Sequence, residues 1–149
     1  MKEKKNKMNT QETQNQIIEE FELFDEWLDK YEFIIELGNE LEPFDEKNKT
    51  TSNLIQGCQS RVWLDGKLDE NNHVIFTADS DAIITKGIVA LLIRVYSNRP
   101  PKEIIETDLF FIDKIGLKEN LSPTRANGLV SMIKQMKAYG IAFNAKLNM

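Results

Sequence analysis

Asp79-Ser80-Asp81-Ala82-Ile83-Ile84-Thr85-Lys86-Gly87-Ile88-Val89-Ala90-Leu91-Leu92-Ile93-Arg94-Val95-Tyr96 is apolar nearly all round from Ala82 onward. A strand reading fails on length, since strands run about 4–8 residues. The stretch therefore predicts a central buried helix. Asp79 and Ser80 are good N-cap residues for it. Arg99-Pro100-Pro101 stops it, and Pro101 can open the next short helix at its first position. Gly87 costs helix propensity in the middle of such a run, so it predicts the close approach of another backbone. Lys86 reads as a helix-face residue.

Upstream, the pattern changes period. Ser60 to Leu68 alternates, with Val62, Leu64 and Leu68 on one face against Arg61, Trp63, Asp65 and Lys67. Asp69-Glu70-Asn71-Asn72 supplies turn chemistry, and Val74-Ile75-Phe76-Thr77 is a second strand. Strands joined this tightly are expected to be antiparallel, with a short third strand at Leu54–Gln56. Before them, Ile17, Phe21, Phe24 and Leu28 recur at helical spacing, with a break near Asp25 and Glu26. A second helix carries Trp27, Tyr31, Ile34, Ile35 and Leu37, with Gly38 as its C-cap. Leu41 to Ser52 reads as a loop.

Downstream come short helices around Lys102–Glu106 and Leu109–Ile115. Ser122 and Pro123 open a last helix running to about Tyr139, with Leu129, Met132, Ile133 and Met136 inward. The expectation is an α+β fold, a small antiparallel sheet of about three strands packed against several helices. Residues 1–10 have almost nothing to bury and are expected to be a disordered tail, leaving 11–149 as a single domain.

Composition excludes several classes. A net charge of −5 argues against a nucleic-acid surface, which needs an excess of Lys and Arg. No apolar run approaches the ~20 residues needed to span a bilayer, and the Lys-rich N-terminus lacks the apolar stretch of a signal peptide. One cysteine cannot form an internal disulfide, which suggests a reducing compartment, the cytoplasm by default.

That cysteine lies in Asn53-Leu54-Ile55-Gln56-Gly57-Cys58-Gln59-Ser60-Arg61-Val62-Trp63. Its immediate neighbours are turn residues, while Ile55 and Val62 look like strand positions that hold the turn rigid. A lone cysteine inside an apolar run would be packing; one at a loop tip points to a reactive thiol. Arg61, three residues on, and Arg125, in the first turn of the last helix, are candidate cations to favour its thiolate. An arginine in a first helical turn opposes the helix dipole and needs a compensating partner. His73, the only histidine, could serve Cys58 as a base in a cysteine-dependent hydrolase. No local cysteine-protease signature supports that alternative. A metal or iron–sulfur site needs about four ligands, which one Cys and one His cannot build without acids or a second chain.

The pattern N-x-I-x-G-C-Q-S-x-V-W over residues 53–63 resembles the active-site motif of the SufE family, sulfur acceptors that serve cysteine desulfurases. The similarity extends to Tyr31–Gly38, Asp79–Ala82, Lys86-Gly87 and Leu121–Arg125, in the family's order, covering roughly residues 25 to 140. It implies a fold like that of the scaffold proteins on which iron–sulfur clusters are assembled (SufE/IscU-like), with Cys58 as persulfide acceptor. Gly57, Gln59, Ser60, Arg61, Asp81 and Arg125 would support the cysteine or dock a partner. That partner would be a cysteine desulfurase, which this chain would stimulate, with an iron–sulfur cluster scaffold as downstream acceptor. Pyridoxal phosphate would belong to the desulfurase, and this chain would carry no cofactor. Ligand count leaves it a carrier rather than a scaffold. With no second thiol in the chain, a persulfide on Cys58 could not resolve internally into a disulfide.

Overall fold

A computed structural model describes residues 8–149. Along the chain run helices α1 (Thr10–Phe21) and α2 (Trp27–Asn39), strands β1 (Val62–Leu68) and β2 (Val74–Ser80), and helix α3 (Ile83–Tyr96). Short helices α4 (Pro101–Glu106) and α5 (Phe111–Lys114) follow, then the long α6 (Pro123–Leu147). Single 3-10 turns lie at Glu46–Asn48, Thr51–Asn53 and Lys118–Asn120.

The apolar run is the central helix, and α1, α2, α6 and β2 all pack on α3. Ile88, Val89, Leu91, Leu92 and Val95 are fully buried, each worth roughly 1.5–3 kcal/mol of apolar transfer. Ile83, at its first turn, is the exception and stands in solvent. Gly87 meets the backbone of α2, as its place in the run predicted. A Cβ there would fall on the carbonyl of Ile34, and one on Gly38 would lie 2.7 Å from the Gly87 nitrogen. Gly38 is thus a crossing residue inside α2 rather than its C-cap, which is Glu40.

The hairpin pairs antiparallel in the register Val62↔Ser80 to Leu68↔Val74. The sheet has two strands, not about three. Where a third strand was expected there is a single bridge, Leu54↔Trp63, with the Ile55 amide donating to the Val62 carbonyl at 2.9 Å. The chain then turns away at Gly57, so no ladder extends. On the opposite side Val74 bridges Arg99.

Other boundaries differ for local reasons. Asn9 caps α1 with a reciprocal bond to Glu12, so helix begins inside the stretch read as tail; residues 1–7 of that stretch lie outside the described residues. Arg99 is buried, donating to the Val95 carbonyl (2.9 Å), the Thr13 hydroxyl (3.0 Å) and the Met8 carbonyl. α1 ends at Phe21, earlier than the break near Asp25, and Leu28 belongs to the exposed face of α2 at 70% accessibility. α6 continues past Tyr139 to Leu147, because Tyr139 stacks on Phe143 and lies edge-on to Phe76 of β2.

Candidate functional site

β2 does not stop at Thr77 but runs to Ser80, and this takes Asp79 and Ser80, expected to cap α3, into the strand. Ala82 is the N-cap, without a side-chain bond. Asp79 instead joins Lys49 (3.0 Å) and Lys86 (3.2 Å). Lys49 also lies over the Trp63 ring, 5.1 Å from its centroid. Burial pushes the Asp79 carboxyl up, but Lys49, the Ser80 amide and Lys86 outweigh it and hold the group below its ordinary value. The network closes the loop before the cysteine over the hairpin and α3.

Asp81 faces the cysteine segment rather than the helix. Its carboxylate accepts from the Arg61 amide at 3.1 Å, and its own amide donates to the Arg61 carbonyl at 3.3 Å. The Ser80 hydroxyl donates to that same carbonyl at 2.8 Å. The residues just past Cys58 are therefore clasped to the entry of α3 by three hydrogen bonds. The Arg61 side chain points into solvent.

Cys58 is half-buried, tucked under the loop rather than presented at its tip. Gly57 makes the inward turn at φ +90°, a left-handed conformation natural to glycine, and a Cβ there would collide with the Ser131 hydroxyl. The Cys58 thiol lies 3.6 Å from the Gly128 carbonyl of α6, to which it donates. A Cβ on Gly128 would lie 3.4 Å from Sγ, at ordinary van der Waals contact, so the sulfur packs directly against this part of α6. Burial pushes the Cys58 thiol above its ordinary value. Its bond to a carbonyl likewise exists only in the protonated form.

A cavity of about 60 Å³ opens beside Sγ, lined by Cys58, Gln59, Ser60, Thr85, Arg125 and Met132, among others. Ser122 caps α6 by accepting from the Arg125 amide at 3.2 Å. The last helix thus delivers Arg125 to the cysteine across 67 residues of sequence. Among the described residues Arg125 pairs with no carboxylate. Of the residues singled out in sequence, Cys58, Gln59, Ser60 and Arg125 share the cavity; Gly57 shapes it, and Asp81 and Arg61 form the clasp at its rim. Thr85, Gly128 and Ser131 were missed. A glycine in a helix interior was the available signal for Gly128, the same signal that marked Gly87.

His73 lies elsewhere. It precedes Val74, at the end of the hairpin opposite the cysteine, and its Nδ1 lies 3.1 Å from the Asn98 Oδ1. Six residue steps of strand put it about 20 Å away. His73 is therefore not placed to act as the base of the hydrolase alternative. Among the described residues, no group of three or more His, Cys, Asp or Glu is placed to hold a metal ion, and no helix is long and apolar enough to cross a membrane.

Two consequences are measurable. The raised thiol should alkylate slowly at neutral pH, with a rate that climbs through a midpoint above the ordinary value of about 8.5. Because the folded thiol keeps its proton to higher pH than the unfolded one, its contribution to stability is intact below that range and lost above it. Asp81→Ala should cost about 1 kcal/mol in denaturant unfolding and accelerate Cys58 alkylation by freeing the loop. An unchanged alkylation rate in that variant would show that the clasp does not hold the cysteine in.

Fold and site define a small α+β protein built around one sheltered thiol. The family described as SufE, the Fe-S metabolism associated domain, matches residues 15–140, and the chain belongs to it. An uncharacterized SufE-like protein of Rhizobium etli is 44% identical over 127 residues, covering 83% of this chain and 86% of that protein. Another, from Rhizobium meliloti, is 42% identical over 128 residues, covering 83% of this chain and 91% of that one. The SufE-like protein 1 of Arabidopsis thaliana, named as chloroplastic/mitochondrial, is 38% identical across 88% of this chain, which corresponds to 35% of the plant protein. The fold is shared with the solution structure of a hypothetical protein from Thermus thermophilus, at a TM-score of 0.73 and 18% identity, over 89% of this chain and 96% of that one.

Proposed function

We propose that this protein accepts sulfane sulfur on Cys58 from the persulfide of a cysteine desulfurase, stimulating that enzyme, and passes the sulfur towards an iron–sulfur cluster scaffold. The observation that carries the reading is the chain's single thiol, held on a turn against α6 beside a cavity that Arg125 lines. Membership of a family associated with Fe–S metabolism supports it.

The step needs little from the chain. Cys58 thiolate attacks the outer sulfur of the donor persulfide; the donor's S–S bond breaks, and its electron pair leaves on the donor thiolate. A new S–S bond joins Cys58 Sγ to the transferred atom, with no net oxidation. The pyridoxal phosphate that generates the donor persulfide belongs to the desulfurase, and this chain supplies no cofactor. Since burial disfavours the Cys58 thiolate at rest, the loop must open towards the partner before attack, and Arg125 is the cation nearest to hand for the charge that develops. Gly57, Gln59, Ser60, Arg61 and Asp81 surround the cysteine and form the docking surface. Rim charges of this kind govern encounter rate more than affinity. A reducing compartment such as the cytoplasm suits a carrier whose working form is a free thiol.

Intact-mass measurement after mixing with a desulfurase and free cysteine tests the reading. The expected gain is one sulfur atom on Cys58, appearing more slowly with Arg125→Ala. No gain in the wild-type chain removes the proposal, and an equal rate in the variant removes Arg125 from it.

A further inference from the structure

Thr85 stands on the first turn of α3, 4% exposed, and lines the cavity beside Cys58. Every other buried polar side chain among the described residues has its partner: Thr13, Gln14, Arg99 and Thr107 all hydrogen-bond. The Thr85 hydroxyl hydrogen-bonds to none of the described residues. Yet no side-chain nitrogen or oxygen among them is sealed from solvent without a partner. The Thr85 oxygen therefore opens onto accessible space, and the cavity beside Sγ is the space this residue lines. A hydroxyl with no protein partner that opens onto such a space is free to donate to whatever occupies it.

We propose that this cavity is the receptacle for the transferred sulfur atom and that Thr85 is its positioning residue, donating a hydrogen bond to the outer sulfur of the Cys58 persulfide. The inference rests on the sulfur-acceptor reading and adds to it a seat for the cargo. An S–S bond of about 2.05 Å sets the outer atom beyond Sγ. A single water-sized occupant needs roughly 10–15 Å³, so a cavity of about 60 Å³ has room for that atom. Sulfuration also changes what the site must satisfy. The free thiol donates its proton to the Gly128 carbonyl; in the persulfide Sγ carries no proton, and the charge sits on the outer sulfur. That atom is an acceptor, and the unpaired Thr85 hydroxyl is a donor. Hydrogen-bonded inside the cavity, the persulfide is shielded from the solvent thiols and oxidants that would strip or oxidise it.

The test separates loading from retention. The chain is loaded by a desulfurase with cysteine, freed of the donor, and exposed to dithiothreitol. The dithiol removes the outer sulfur as hydrosulfide while closing to its cyclic disulfide, and Cys58 returns to the thiol. Intact mass gives the decay rate. Thr85→Val, which removes the hydroxyl and keeps the shape, should lose its loaded sulfur about five-fold faster, with the decay normalised to the loaded fraction, the ratio given by one net hydrogen bond of ordinary strength. Thr85→Ser should decay near the wild-type rate. Alkylation of the unloaded Cys58 should be the same in all three.

Equal decay in Thr85→Val and wild type overturns the inference while leaving the acceptor reading intact. A wild-type chain that takes up no sulfur overturns both. Faster alkylation of the unloaded variant would mean that Thr85 only packs the loop, and that outcome also overturns it. Should Thr85→Val fold poorly, Thr85→Ala against Thr85→Ser makes the same comparison.

Discussion

Cys58→Ser is expected to gain no sulfur from any desulfurase while unfolding within about 1 kcal/mol of the wild-type protein. The two halves of that outcome have separate causes. Serine is nearly the shape of cysteine, and its hydroxyl can donate to the Gly128 carbonyl in place of the thiol. The loop is held by Gly57, the Asp81 clasp and the Ile55–Val62 bond, none of which involves the sulfur. Chemically the change is absolute, since an alcohol does not take sulfane sulfur from a persulfide, and no second thiol exists in the chain. Mass measurement and thermal unfolding of one sample read both halves. A fall in stability of several kcal/mol, far beyond the cost of an ordinary surface change, would make Cys58 a packing residue.

Gly87→Ala is expected to be the most destabilising single methyl that can be added to this chain. In an ordinary helix interior the change would stabilise by roughly 1 kcal/mol. Here the new Cβ would overlap the Ile34 carbonyl and lie 2.6 Å from its carbon. Backbone atoms of a packed helix cannot rotate aside as a side chain can, so α2 and α3 must separate along their crossing. Overpacking costs about 1–3 kcal/mol where side chains yield, and with backbone in the way the net loss should exceed ~2 kcal/mol. At about 2–4 °C per kcal/mol for a domain of this size, the midpoint should fall by roughly 4–8 °C or more. Gly140→Ala is the milder comparison, because its Cβ would meet the Ile104 side chain at 3.1 Å and the Pro101 carbonyl at 3.3 Å, where shifts of a few tenths of an ångström suffice. If Gly87→Ala unfolds no earlier than Gly140→Ala, the close crossing is not what these glycines provide.

The central helix and the hairpin were legible because their signals are local. Ala82 to Tyr96 is too long and too apolar to be anything but a buried helix, and buried Val62 and Leu64 alternate with half-buried neighbours over a span that only a strand explains. The motif around Cys58 was legible as chemistry. What eluded reading were pairings between distant segments. Asp79 precedes a helix and reads as a cap, yet it pairs with Lys49 and Lys86; only the family resemblance tied Asp81 to the cysteine, and its partner, Arg61, lies 20 residues upstream. Gly38 ends an apolar helix pattern and reads as a stop, but it is used for contact with α3. The walls of the cysteine cavity come from the cysteine loop, the first turn of α3 and the first three turns of α6, and Thr85 carries no local sign of nearness to Cys58.

The bond from the Cys58 thiol to the Gly128 carbonyl has a consequence for timing. A thiol that rests protonated and folded inward is chemically quiescent, so the free protein is a poor target for peroxides and for stray disulfides in the medium. On the proposed function, reactivity would be acquired only during the interval in which the loop is drawn out, an interval set by the partner's engagement. At high donor concentration the flux should then level off at the loop-opening rate instead of rising with thiolate abundance. A carrier of this kind would behave as a normally open circuit that the donor itself closes.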